Sequence, residues 1–419
     1  MASSSLQFNT NGYAKEAFIL WTNLFMKKSL FLTFLLLSAI EVFSQNLSLQ
    51  QYLEDLAFFK TELSNRHKNL FSVISEKEFN QKIAEIEEKS SSLTQESFEI
   101  ELFKIIKAIG DEHTFIVPAY QTMFPITFDM FEEGIFVTKA DSTHSNLLYK
   151  QLDGVGSKAT KNILEDFKAI INTENQSYFE VNFLNLIKNP RVLVGLNLAS
   201  SEASGLFQLG GEKHHIPAIQ KSGYSPLISP NYLRYKKKDK YWYELIENGN
   251  ILYFNYQSCS EQKNKPFETF NAELFSFIEE NKPRKIIIDL RNNSGGNSGI
   301  LRPFLEKLKK SGLNRKGSLY VLIGKSTFSS ALMNAVDLKR NFNSILIGES
   351  TSGNVNHYGE VRGFDLPNSK IEVGYSTKYW EVWKGHKGPL VPDVGVKYSI
   401  ANFKRNVDEA VEYVRKQNQ

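Results

Sequence analysis

The chain has 419 residues, with 50 lysines and arginines against 46 aspartates and glutamates, for a net charge of +4. That length predicts a catalytic-sized domain with one or two smaller units, and the scattered, nearly balanced charge excludes an electrostatic footprint for nucleic acid. The single cysteine, Cys259, rules out an intramolecular disulfide and a cysteine-based metal site.

Met26-Lys27-Lys28, the apolar run SLFLTFLLLSAI and the following EVFSQ have the layout of an export signal, with cleavage expected near Ser44. The run is too short for a comfortable membrane span, so a soluble mature protein, periplasmic or secreted, is expected, with an uncleaved anchor as the alternative. No cysteine follows the signal to carry a lipid. Residues 1–25 look unlike a signal, and Met26 is expected to be the true first residue. The expected organisation is 1–44 extension and signal, 45–118 helical domain, 119–238 small mixed domain and 239–413 catalytic domain.

Leu49, Tyr52, Leu53, Leu56, Phe59 and Leu63 recur at helical spacing behind Ser48, predicting a first helix to about Arg66. Ser75 and Glu78 form a capping box for a second helix, and a third runs from Thr94 to Ile109 with Gly110 as its stop. Beyond Gly110, TFIVPAY, FPITFDM and GIFVTKA read as short strands before a helix over about 157–172. The stretch RYKKKDKYW at 234–242 reads as a solvated turn or linker. From Ile251 onward strands alternate with helices: ILYFNYQ, KIIIDL, SLYVLIG and SILIGE, with helices at about 266–280, 298–310 and 330–340. That alternation predicts βαβ units and a largely parallel, buried sheet, with a site formed by the loops after Leu290, Gly324 and Glu349.

Three segments carry candidate chemistry. In KIIIDLRNNSGGNSG the paired Gly295 and Gly296 either present backbone N–H groups to an oxyanion or simply make a tight turn. In VLIGKSTFSSALMNA, Ser329 stands between a strand and a helix, where it is either a nucleophile beside the Ser330 N–H or one of four hydroxyl residues competing to cap the helix. In IGDEHTFIV, His113 is a general-base candidate, although a lone histidine among charged residues is by default a surface or capping group. Cys259, in YQSCSEQ, is expected to be structurally neutral. His214 and His215 are adjacent and point to opposite faces of a strand, which does not make a metal face.

Taken together, IDLRNNSGG, STFSSA and ILIGESTSG, in that order and strand context, resemble the signatures of the tail-specific (C-terminal processing) serine peptidases. That family also includes the tricorn core domain and the repeats of interphotoreceptor retinoid-binding protein. The resemblance covers residues 245–400 and, more weakly, the helical N-terminal domain with its GDEHTF ending. It implies an α/β fold with a mostly parallel ClpP/crotonase-like βαβ core. The small mixed domain stands where a PDZ-like module would be, and without a carboxylate-binding glycine loop such a module is divergent or absent.

The resemblance further implies Ser329 as nucleophile, with Gly295 or Gly296 and the Ser330 N–H as oxyanion donors. Members with a Ser-Lys dyad carry their lysine where this chain has Asn354, an amide that cannot take a proton from serine. Lys325 lies across the turn from Ser329 and is a poor substitute. Tricorn-like members use a histidine at the place of His113, here preceded by Glu112 instead of serine, and their orienting glutamate falls near His386. Asp111, Glu349, Glu360 and Glu381 are the candidates for that acid, and the closing Pro392-Asp393 pair is expected to be structural. The expected function is an exported serine peptidase acting on polypeptides with no metal or organic cofactor. The alternative is a noncatalytic binder of peptides or lipophiles on the same fold.

Overall fold

The computed structural model describes residues 47–118, 120–228, 233–236 and 239–417, so the expected export signal at 26–44 lies outside the described residues. The first helix, α1 (Leu49–Arg66), starts where Ser48 and Gln51 exchange backbone and side-chain hydrogen bonds. Ser75 and Glu78 do the same for α2 (Glu76–Lys89). The third helix, α3 (Gln95–Ile109), ends at Gly110, whose φ of 73° is the left-handed turn that glycine adopts without strain. The short strand β1 (Phe115–Val117) follows.

The middle region holds an antiparallel pair, β2 (Ile126–Phe131) and β3 (Gly134–Ala140). A second sheet contains β4 (Leu152–Val155), β5 (Ser204–Leu209) and β6 (Glu212–Pro217). Between them lie α4 (Thr160–Lys168) and α5 (Gln176–Leu186), the latter not foreseen from the sequence. One hydrophobic core runs from Leu56 and Phe59 of α1 through Phe128, Phe167 and Phe207, so the helical and mixed regions share a single interior.

The remaining chain builds a six-stranded sheet. Its antiparallel edge strand β7 (Tyr241–Ile246) pairs with β8 (Ile251–Tyr256), which runs parallel to β9 (Lys285–Asp289) and β10 (Leu319–Ile323). Helices α6 (Phe267–Asn281), α7 (Arg302–Lys310) and α8 (Ser329–Asn341) make the crossovers. They lead to β11 (Ser344–Gly348) and, after the hairpin β12 (His357–Asp365) and β13 (Glu372–Trp380), to β14 (Val394–Gly395). Alternation along each strand divides the sheet's residues between two faces. Ile286, Ile288, Leu319 and Val321 pack with the crossover helices. Ile287, Tyr320 and Leu322 pack against Val411 and Val414 of α9 (Glu409–Lys416). Each such side chain, fully withdrawn from water, contributes about 1.5–3 kcal/mol.

The hairpin ties the two halves together. Strand β13 pairs antiparallel with β1, Phe115 opposite Gly374. Buried Asp55 of α1 accepts the backbone N–H groups of Asn368 and Ser369 at the hairpin tip, at 2.7 and 2.8 Å. The N-terminal helices therefore fix a hairpin whose first residue, His357, enters the candidate site.

Candidate active site

The loops after β9, β10 and β11 meet at the carboxyl ends of their strands, where an α/β sheet offers a crevice. The turn after β9 is anchored by a buried ionic network. Arg291 holds Asp289 through Nε and one terminal nitrogen and Asp408 through both terminal nitrogens, and Tyr253 donates to Asp289 at 2.6 Å. Asn293 then joins the loops: its carbonyl accepts the Phe328 N–H at 3.1 Å, and its Nδ2 donates to Tyr256.

Ser329 is the first residue of α8, and its φ of 50° puts a non-glycine residue in the left-handed region. That conformation costs about 1–2 kcal/mol and is typical of strained strand-to-helix turns that push a nucleophile forward. None of the four neighbouring hydroxyls caps α8, whose N-cap is Phe328. Thr327 bridges Gly324 N–H and the Leu290 carbonyl, and Ser330 Oγ donates to the Gly296 carbonyl at 2.6 Å. The Ser329 hydroxyl is left out of these contacts.

Gly295 packs directly on this turn. A β-carbon there would lie 2.8 Å from Ser329 Cβ and 3.1 Å from Ser330 N. The Gly295 N–H is not directed at a ligand, because it donates to Asn293 Oδ1 at 2.9 Å. Gly296 bridges Cys259 in parallel fashion: Cys259 N–H donates to the Gly295 carbonyl and Asn297 N–H to the Cys259 carbonyl. In that pattern the N–H and carbonyl of Gly296 itself face away from Cys259, and the carbonyl accepts from Ser330 Oγ. Of the three expected oxyanion donors, Gly295 has its N–H spent on Asn293 and contributes the missing side chain that makes room for the Ser329 turn, while Gly296 touches the turn through its carbonyl, which accepts from Ser330 Oγ.

His113, in the turn between α3 and β1, is buried at 5 % exposure, where its sequence neighbours suggested a surface. Its ring stacks on Phe328, the residue before Ser329, with centroids 4.4 Å apart and planes 20° apart. On its other side lies His357, 5.0 Å away and 11° from parallel. Neither ring nitrogen of His113 has a hydrogen-bond partner. Burial first, and then His357, push its pKa down to about 4, while the Asp111 charge pulls the other way. His113 is thus a neutral imidazole at pH 7, adjacent to the serine turn but not hydrogen-bonded to Ser329.

None of the four candidate acids bonds the His113 ring. Asp111 accepts from His67 Nε2 (3.0 Å), Thr114 (2.6 Å), Ser376 (2.6 Å) and the His113 backbone N–H (3.0 Å). These bonds overcome its burial and hold its pKa at about 2; Asp111 fixes the turn, not the ring. Glu349 pairs with Lys325, which also binds Glu180 of α5, and Glu360 and Glu381 are exposed. With its ammonium between two carboxylates, Lys325 is a fixed cation. Burial drives the Cys259 thiol up to about 11, which leaves it an inert core group. Glu112, by contrast, is buried with Oε2 accepting the Asn354 N–H at 2.8 Å, and burial raises its pKa to about 7.

The sequence reading missed Phe328 and His357. Both are invisible to motif spacing, because their importance is only their contact with a ring more than 200 residues away along the chain.

The chain shares the fold of CPAF. Mature CPAF complexed with lactacystin matches 88% of this chain and 97% of its own, at 14% identity and a TM-score of 0.59. A serine-to-alanine variant of CPAF matches 88% and 96%, at 12% identity and a TM-score of 0.61. The photosystem II D1 C-terminal processing protease aligns over 86% of this chain and 98% of its own, at 12% identity and a TM-score of 0.40, and nothing further rests on it. No protein-family model matches the chain, and no curated protein matches it by sequence. At such identities the likeness to CPAF establishes the α/β fold, and the chemistry has to be argued from this chain's own residues.

Proposed function

We propose that the chain is an exported serine peptidase that hydrolyses peptide bonds through a Ser329 acyl-enzyme, with His113 as general base. The observation that carries this reading is the strained Ser329 turn, packed on Gly295 and next to Phe328, on which the neutral, buried His113 ring stacks. In the proposed reaction Ser329 Oγ attacks the scissile carbonyl carbon and its proton passes to His113. The Gly296 and Ser330 N–H groups hold the oxyanion. Collapse expels the amine, which takes the proton back from His113, and water repeats the sequence to release the acid. The Ser329–His113 hydrogen bond would form on substrate engagement, as apo catalytic contacts commonly tighten only then. A groove of about 350 Å³ between α7 and α8, lined in part by Ser298, Arg302 and Met333, opens just past the oxyanion turn and suits a substrate side chain. The export part of the proposal rests on the Lys27-Lys28 and apolar run that follows Met26. Among the described residues no helix is long and apolar enough to cross a membrane.

The unbonded ring nitrogens of His113 favour one other reading, a noncatalytic binder of peptides or lipophiles on the same fold. A fluorophosphonate probe decides between them. Labelling of the protein and hydrolysis of unfolded polypeptide, both abolished in folded Ser329→Ala and His113→Ala, support the peptidase. Folded protein that neither labels nor cleaves supports the binder.

A further inference from the structure

The site contains a buried histidine to which the reaction above gives no task. His357 opens β12 at 6 % exposure, and its Nδ1 lies 2.9 Å from the Asn354 carbonyl and 3.3 Å from that of Val355. A carbonyl only accepts, so Nδ1 carries the proton and the lone pair of the neutral ring sits on Nε2. The peptide that anchors it is itself held: the Asn354 N–H donates to Glu112, next to His113 in sequence. His357 is therefore fixed in tautomer and plane, and its plane is the one that faces His113.

Histidine bases are usually oriented by an acid on the second ring nitrogen, and no carboxylate reaches that atom here. What holds the ring is a sandwich, Phe328 on one face and His357 on the other. We infer that His357 is a positioning residue: with Phe328 it clamps the His113 ring that accepts the Ser329 proton, and as an ionisable ring stacked on His113 it adds to burial in opposing protonation of the pair at acid pH. This rests on the Ser329–His113 reading of the site. Phe328 alone could supply the clamp but not the charge control, because only an ionisable neighbour makes a second protonation costly.

The other titratable groups around the pair do not replace it. Asp111 and Glu112 lie on the His113 turn, and Asp111 favours the protonated ring. His67, at the end of α1, is committed to Asp111. Tyr178 of α5 donates to the Glu112 carbonyl, and Tyr358 of β12 packs on His67. Lys378 of β13 covers Trp380, the residue opposite His357, and Lys325 is bound by Glu180 and Glu349.

The test is an NMR titration of the His113 ring, paired with the pH profile of Ser329 labelling by a fluorophosphonate. In His357→Phe the ring stays and the charge goes. His113 is expected to titrate about half a pH unit or more higher, with the acid limb of labelling moving in the same direction. In His357→Ala the clamp goes too, and labelling is expected to slow by about tenfold or more at unchanged circular dichroism. An unshifted His113 titration in folded His357→Phe overturns the inference, whatever the activity. Absence of labelling in the unsubstituted protein overturns the Ser-His reading instead, while the titration still decides what His357 does. Should His357→Phe not fold, His357→Gln removes the charge and is judged by the same shift.

Discussion

Gly295 lies so close beneath Ser329 that a β-carbon on it would sit 2.8 Å from the serine Cβ, closer than such atoms ever approach. At φ 113° it also holds a backbone conformation that side chains resist. The two facts make Gly295 part of the nucleophile's geometry even though its N–H is spent on Asn293. Gly295→Ala is expected to reduce Ser329 labelling by about a hundredfold, the scale of a lost oxyanion contact, and to cost about 1–3 kcal/mol of stability through strain. Near-normal labelling in this variant would show that the turn can accommodate a β-carbon at position 295.

The left-handed conformation of Ser329 gives a second expectation. Ser329→Ala and Ser329→Gly both remove the nucleophile, but only glycine relieves the strain of a β-carbon at φ 50°. Relief of about 1–2 kcal/mol is offset in part by glycine's greater freedom in the unfolded chain, so Ser329→Gly should exceed Ser329→Ala in stability by up to about 1 kcal/mol. Thermal unfolding of the two inactive proteins measures the difference, and a more stable alanine variant contradicts the assigned strain.

For Lys325 the expectation separates chemistry from architecture. Its ammonium sits 2.6 Å from Glu180 and 3.0 Å from Glu349, so Lys325→Met is expected to keep labelling within about tenfold of the unsubstituted rate. Leaving two partly buried carboxylates unpaired should lower stability by about 1–3 kcal/mol. Abolished labelling at intact fold would restore Lys325 as a base.

The pH behaviour follows from His113 and Glu112, whose shifts oppose each other. The His113 pKa falls from 6.5 to about 4 because the folded state buries the neutral ring. Its contribution is therefore complete above pH 6.5 and is lost as pH falls toward 4. Glu112 is raised from 4.5 to about 7, so its contribution is complete below pH 4.5 and is lost as pH rises through 7. Each amounts to about 3 kcal/mol, and over the shared window they largely cancel. Glu112→Gln, which keeps an acceptor for Asn354, is expected to leave stability unchanged at pH 4 and raise it by about 2–3 kcal/mol at pH 8. Denaturant melts at the two pH values test this, and equal effects at both would refute it.

The same shift bears on the reaction. If His113 is the base, kcat/KM should stay level through neutral pH and fall only as pH approaches about 4, well below the range of an ordinary histidine. A limb near 6.5 in folded protein would mean that His113 is solvated in the working enzyme or that another group takes the proton.

Much of this architecture was written locally. The capping pairs Ser48–Gln51 and Ser75–Glu78 and the stop at Gly110 set the first helices within a residue or two. The apolar-centred runs KIIID, LYVLI and SILIG, alternating with helical segments, pointed to buried parallel strands. The nucleophile turn was legible in part, because glycine pairs and clustered serines between strand and helix are local signals. Sequence could not say which glycine N–H stays free, since that depends on Asn293 and Ser330 reaching the same turn from two loops. Nor could it find Phe328 and His357 as the two faces of His113, or show that Asp111 is consumed by His67 and Ser376. Periodicity, caps and turn residues act over a few positions, so the sequence alone determines the elements and their order. Stacking, desolvation and hydrogen-bond competition act between groups hundreds of positions apart, and only the packed chain decides them.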